Sequence, residues 1–167
     1  MKVTLDLAKT DQTLDALTLR IPLQKNIATL MHVSSDGIRA NPTGAIPSGK
    51  GVVWDSTKTV RYNTLGTWIP YVWLGGPERG ICWFSDTDRD WGLDDKLPAI
   101  EIAREGDKVE LRVHLFNTPT KLDRPRRVVF GLQATPVKPM PDGWRSWSFF
   151  GAHTNALEMR ILGQGQY

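Results

Sequence analysis

Proline and glycine interrupt this chain too often for it to be built from long helices. Eleven prolines and fifteen glycines are spread from Pro22 to Gly165. A proline inside a helix removes a hydrogen bond and clashes with the preceding turn. Between these breaks the apolar residues recur at every second position, the period of a strand with one buried face. Val3, Leu5 and Leu7 alternate with polar neighbours, as do Leu17, Leu19 and Ile21 up to Pro22, which is expected to end that strand. The clearest case is VELRVHLF over Val109–Phe116, where Val109, Leu111, Val113 and Leu115 face one way and Glu110, Arg112 and His114 the other.

Two hairpins follow from this pattern. In WIPYVWLGGPERGICWF, over Trp68–Phe84, aromatic-rich runs flank Gly75–Gly80, a turn by composition, with Cys82 in the second strand. Ala99–Ala103 and Val109–Phe116 flank a second turn at Arg104–Lys108. Ala28–Val33, Gly51–Trp54 and Val128–Ala134 read as further strands, and Asn41–Gly51 as a turn-rich loop. Roughly eight to ten short strands separated by turn signals predict an all-β fold, a single antiparallel β-sandwich over residues 1–150. Residues 151–167 read as a linker or the start of a following domain, with helix expected only in short pieces near Thr154–Arg160.

Composition narrows the function classes. A chain of 167 residues with 40% hydrophobic and 23% charged residues can bury one ordinary core and is not disordered. A net charge of +3 is too balanced to announce a nucleic-acid partner. No apolar run is long enough to span a membrane, and no apolar signal core follows Met1–Lys2. The single cysteine, Cys82, excludes an intramolecular disulfide framework.

The candidate chemical motifs are incomplete. GAIPSGKG at Gly44–Gly51 is one hydroxyl short of a phosphate loop and leads into a strand where that motif needs a helix. Asp86, Asp88 and Asp90 lie at alternate positions, but Trp91 and Leu97 stand where a helix–loop–helix calcium site needs Gly and Glu. A non-helical calcium site from Asp86, Asp88 and Asp94 or Asp95 is the remaining metal alternative. Glu78 and Asp86–Asp90 fall at opposite ends of the first hairpin, too far apart for paired acid–base work. His32, His114 and His153 are scattered, and Ile81, Trp83 and Phe84 around Cys82 point to a buried, unreactive thiol. No catalytic residue and no cofactor is expected.

Seven tryptophans remain, five of them between Trp54 and Trp91. Trp68 and Trp73 have opposite strand parity, so at least one of Trp68, Tyr71 and Trp73 belongs to the core and another is open to a ligand. Exposed aromatics stack on pyranose rings or pack against a neighbouring domain. Trp68, Tyr71, Trp73, Glu78, Arg79, Asp86, Asp88, Arg89, Asp90 and Trp91 are therefore the ligand or interface candidates. They pair aromatic area with polar groups that could fix a sugar's orientation.

The series WIPYVWLG at Trp68–Gly75, ERGICWF at Glu78–Phe84 and DRDW at Asp88–Trp91 resembles a family of large bacterial glycoside-hydrolase-like proteins, the domain of unknown function 6067. FGLQATPVKP at Phe130–Pro139, followed by Trp144–Arg145, resembles the same family, which is similar to the N-terminal part of glycoside hydrolase family 123. The resemblance covers about residues 50–147. It implies a β-sandwich that precedes a (β/α) barrel carrying the catalytic acids. The chain stops at Tyr167, about where that barrel would begin, and the family's Asp–Glu pair has no counterpart here. The expected role is a non-catalytic accessory domain that braces the barrel or lines its sugar cleft. A free-standing carbohydrate-binding module and a homo-oligomerising structural domain are the alternatives.

Overall fold

The computed structural model describes residues 1–34, 41–62 and 64–136. Met1–Thr135 form one compact unit. One sheet contains β1 (Lys2–Leu7), β4 (Leu30–Ser34), β5 (Thr43–Ala45), β7 (Tyr71–Gly75), β8 (Gly80–Phe84) and β12 (Arg126–Thr135), in the order β1-β12-β8-β7-β4-β5. A second contains β3 (Leu17–Gln24), β6 (Gly51–Asp55), β9 (Ile100–Glu105) and β10 (Lys108–Phe116), in the order β3-β10-β9-β6. A small ribbon pairs β2 (Thr13–Leu14) with β11 (Thr120–Lys121). Pairing between strands is antiparallel throughout, and the fold is the expected all-β antiparallel sandwich.

The alternation seen in sequence sets which side chains fill the space between the sheets. Val109, Leu111 and Val113 of β10 and Ile100 and Ile102 of β9 are wholly buried on one side. Val33, Val72, Leu74, Trp83 and Val128 meet them from the six-stranded sheet in one continuous core. Each such side chain contributes about 1.5–3 kcal/mol on leaving water, so this layer dominates the stability. Trp54, Trp68 and Trp91 belong to the same core, and Trp91 meets Trp83 edge-on with ring centroids 6.0 Å apart.

Some boundaries differ from the sequence reading, each for a local reason. Pro22 does not end its strand. β3 is an edge strand, paired only with β10, and an edge tolerates a residue with no N–H. The strand expected from Ala28 begins at Leu30, because the Ile27 and Ala28 amides turn back to the Gln24 carbonyl at 2.9 and 3.0 Å. The loop from Asn41 to Gly51 contributes the short edge strand β5. The β9–β10 turn is tighter than expected. Glu105 pairs directly with Lys108, and Gly106, at φ 61°, takes a conformation costly for other residues. A 3-10 helix over Ser56–Tyr62, not foreseen, starts where the Asp55 carboxylate accepts the Thr57 amide at 3.0 Å. The helix expected at Thr154–Arg160 lies outside the described residues.

Candidate functional site

The two outer faces of the sandwich differ in chemistry. On the four-stranded sheet the outward side chains form a ladder of paired charges. Glu110 accepts hydrogen bonds from Arg20 Nη2 at 2.7 Å and Arg112 Nε at 3.1 Å. Arg112 also pairs with Glu101 and Glu105, and His114 lies between Glu101 Oε2 at 3.2 Å and the Thr18 hydroxyl at 2.9 Å. Burial pushes the Glu110 carboxyl up, but hydrogen bonds from Arg20 and Arg112 outweigh it and hold the group below its ordinary range. These charges satisfy one another within the sheet, as the largely buried Glu101, Glu110 and Arg112 require.

The outer face of the six-stranded sheet is aromatic. Strand register places its side chains in rows that cross the strands. Ser34, Tyr71, Phe84, Gly131 and Lys2 form one row; His32, Trp73, Cys82 and Gln133 form the next; Leu30, Gly75, Gly80 and Thr135 form a third. The Trp73 indole is laid across this surface. Its Nε1–H donates to Thr135 Oγ1 at 2.8 Å, two strands away, and the ring passes over Gly75 and Gly80. A methyl group on Gly75 or Gly80 would come within 2.5–2.7 Å of its atoms. Phe84 behaves alike, since a methyl on its cross-strand neighbour Gly131 would overlap the far half of its ring. Glycines that read in sequence as turn signals thus also clear the floor on which the Trp73 ring rests.

Tyr71 stands beside these rings, 36% exposed, with the His32 ring meeting it edge-on at 6.2 Å. Burial and then its contact with the Cys82 thiol push the phenol up to about 12, so at neutral pH it is a hydroxyl donor and acceptor. Burial also raises the Cys82 thiol, which is 4% exposed, the burial expected from Ile81, Trp83 and Phe84 beside it. A groove of about 680 Å³ runs along this ledge between Leu30 and Thr135, floored by Tyr71 and Trp73. Tyr71 and Thr135 also border a depression of about 370 Å³ that reaches Phe84 and Asp86. A third, of about 270 Å³, continues from Phe84 to Lys2.

The sequence candidates divide sharply. Tyr71 and Trp73 lie together on the outer ledge, with Asp86 at its far end. Trp68 and Trp91 are core residues, 5% and 7% exposed, and present no surface to a ligand. Glu78 and Arg79 are exposed in the β7–β8 turn, where the Gly76 amide donates to the Arg79 carbonyl at 2.9 Å. Asp88 and Arg89 are exposed on the loop after β8. Asp90 is a structural clasp: its carboxylate pairs with Arg124 and accepts the Arg127 amide at 3.3 Å, and the Arg124 hydrogen bond holds it below the usual carboxylate range. Asp94 accepts the Lys96 amide at 2.9 Å, while Asn117 brackets its backbone. Among the described residues no three His, Cys, Asp or Glu side chains converge on a metal site.

His32, Phe84, Gln133 and Thr135 also belong to the ledge, outside the sequence candidates. Phe84 was within reach. Once Gly75 is paired with Gly80, counting back places Phe84 opposite Tyr71. His32 and β12 depended on sheet order, which no local pattern carries. The fold and this face define an antiparallel β-sandwich with one exposed aromatic ledge. No family model, curated protein or solved structure matches the chain.

Proposed function

We propose that this chain is a non-catalytic accessory β-sandwich that contacts saccharide through the outer face of its six-stranded sheet. In this reading it lines or braces the sugar cleft of a glycoside-hydrolase-like protein. The observation that carries the reading is the placement of Trp73 and Tyr71 side by side over an open groove, with the indole held by Thr135. Sugar recognition combines an apolar surface for the ring's C–H face with a few fixed polar groups for its hydroxyls. Here the Tyr71 phenol, Ser34, Thr43 and His32 supply such groups along the groove.

The test is retention of the purified chain on immobilised polysaccharides, compared with Trp73→Ala. The side chain of Trp73 is outward-facing, so the variant should keep the β-type circular dichroism of the parent. Retention of the parent and loss by Trp73→Ala is the expected result. Equal retention of both, or none by the parent on any saccharide, would overturn the reading.

A further inference from the structure

The three depressions on the outer face are continuous, and their combined shape and charge narrow the ligand. The first and second share Tyr71 and Thr135, and the second and third share Phe84, Ser85 and Asp86. Together they run from Thr43 on β5 to Lys2 on β1, across all six strands. Six strands leave five gaps of ~4.8 Å, so the track is about 24 Å long. That is far longer than one pyranose ring. It carries two aromatic stations rather than one: the Tyr71–Trp73 pair on β7 and Phe84 on β8. Each station has a ring laid over glycine across the sheet.

Charge narrows the choice further. Among the described residues no lysine, arginine or carboxylate lines the large groove, and His32 is its one basic side chain. At the other end Lys2 and the Met1 terminal ammonium, which donates to the Leu132 carbonyl at 2.6 Å, stand beside Asp86. Among the described residues, a uronate or sulfated chain would find no counter-ion over most of this track, and a neutral chain needs none.

Resting on the reading of this face as a saccharide surface, we propose that its ligand is a neutral, unbranched oligosaccharide. It lies across the strands from β4 to β12 and occupies both aromatic stations at once. A second stacking station makes affinity rise with chain length until the track is filled.

The experiment is calorimetric titration of the full chain with neutral unbranched β-linked di-, tetra- and hexasaccharides, and with an oligogalacturonate of matched length. Affinity should rise about tenfold from disaccharide to hexasaccharide, a step of ~1.4 kcal/mol. The oligogalacturonate should bind at least tenfold more weakly than the neutral hexasaccharide. Phe84→Ala should flatten the length dependence, and Phe84→Leu, which keeps apolar volume but not the flat ring, should do the same. Equal affinity for disaccharide and hexasaccharide would overturn the chain-length proposal while leaving the face a saccharide surface. Equal binding of the oligogalacturonate would overturn the neutral-ligand proposal. Absence of binding by any saccharide would sink both this inference and the functional reading beneath it.

Discussion

Replacing Gly131 with alanine probes the aromatic ledge through stability alone. Gly131 is buried in β12, paired with Phe84 on one side and Lys2 on the other, and its backbone is not left-handed. Alanine therefore fits the backbone, and in a strand it should stabilise by about 0.5–1 kcal/mol through lost chain entropy. The new methyl, however, would overlap the Phe84 ring. The ring must swing off the sheet, and forced repacking of this kind costs about 1–3 kcal/mol. The net expectation is a loss of about 1–2 kcal/mol, read as a fall of ~0.5–1 M in the urea midpoint for a typical slope. In a Phe84→Ala background the obstruction is gone, and the same Gly131→Ala change should become neutral or stabilising. A double-mutant cycle by urea denaturation measures that reversal directly. An equal effect of Gly131→Ala in both backgrounds would refute the packing of Phe84 on Gly131.

Four further outcomes follow from individual contacts. Ser56→Ala should cost about 1–3 kcal/mol, since its buried hydroxyl accepts both the Ala99 and Ile100 amides at 3.1 Å and no other group there replaces it; an unchanged thermal midpoint would contradict this. Thr135→Val should cost about 1 kcal/mol and expose the Trp73 indole N–H to faster hydrogen exchange, which a proton NMR exchange series would detect. Glu110 has a lowered folded-state pKa, so its stabilising contribution is present above the ordinary value of 4.5 and is lost as pH falls below it; Glu110→Gln should lower stability at pH 7 and flatten the fall below about pH 4.5. Tyr71 is shifted the opposite way. Its contribution is complete below pH 10 and is lost as pH rises towards 12, so ultraviolet difference titration should show a late phenolate that disappears in Tyr71→Phe.

Much of the sandwich was legible because period-two alternation is a local property. The pattern in Val109–Phe116 directly names the buried face of β10, and the β9–β10 hairpin follows from one turn signal. What local pattern cannot carry is sheet order. Nothing in the sequence near Tyr71 says that β4 lies on one side of β7, or that β12 lies beyond β8. The ledge is therefore only half visible: Tyr71 and Trp73 fall two apart on one strand, while His32, Gln133 and Thr135 arrive from remote segments. The misplaced candidates have a physical explanation too. Trp91 sits in an acidic, turn-rich stretch that looks exposed, yet its ring packs on Trp83 while Asp90 and Asp94 spend their carboxylates on Arg124 and backbone amides. Polar neighbours in sequence do not keep a tryptophan in water when the loop folds its side chain over the end of the core.

The most direct test of the central claim is an amide and indole NMR map of the intact chain titrated with a neutral unbranched hexasaccharide. A ligand on the outer face of the six-stranded sheet predicts shifts at the Trp73 indole N–H and at the Gly75, Gly80 and Gly131 amides. Glu101, Arg112 and His114, on the opposite sheet, should remain unmoved. Shifts confined to that charged sheet, or none anywhere as the sugar is raised to millimolar concentration, would contradict the assignment of this ledge as a saccharide surface.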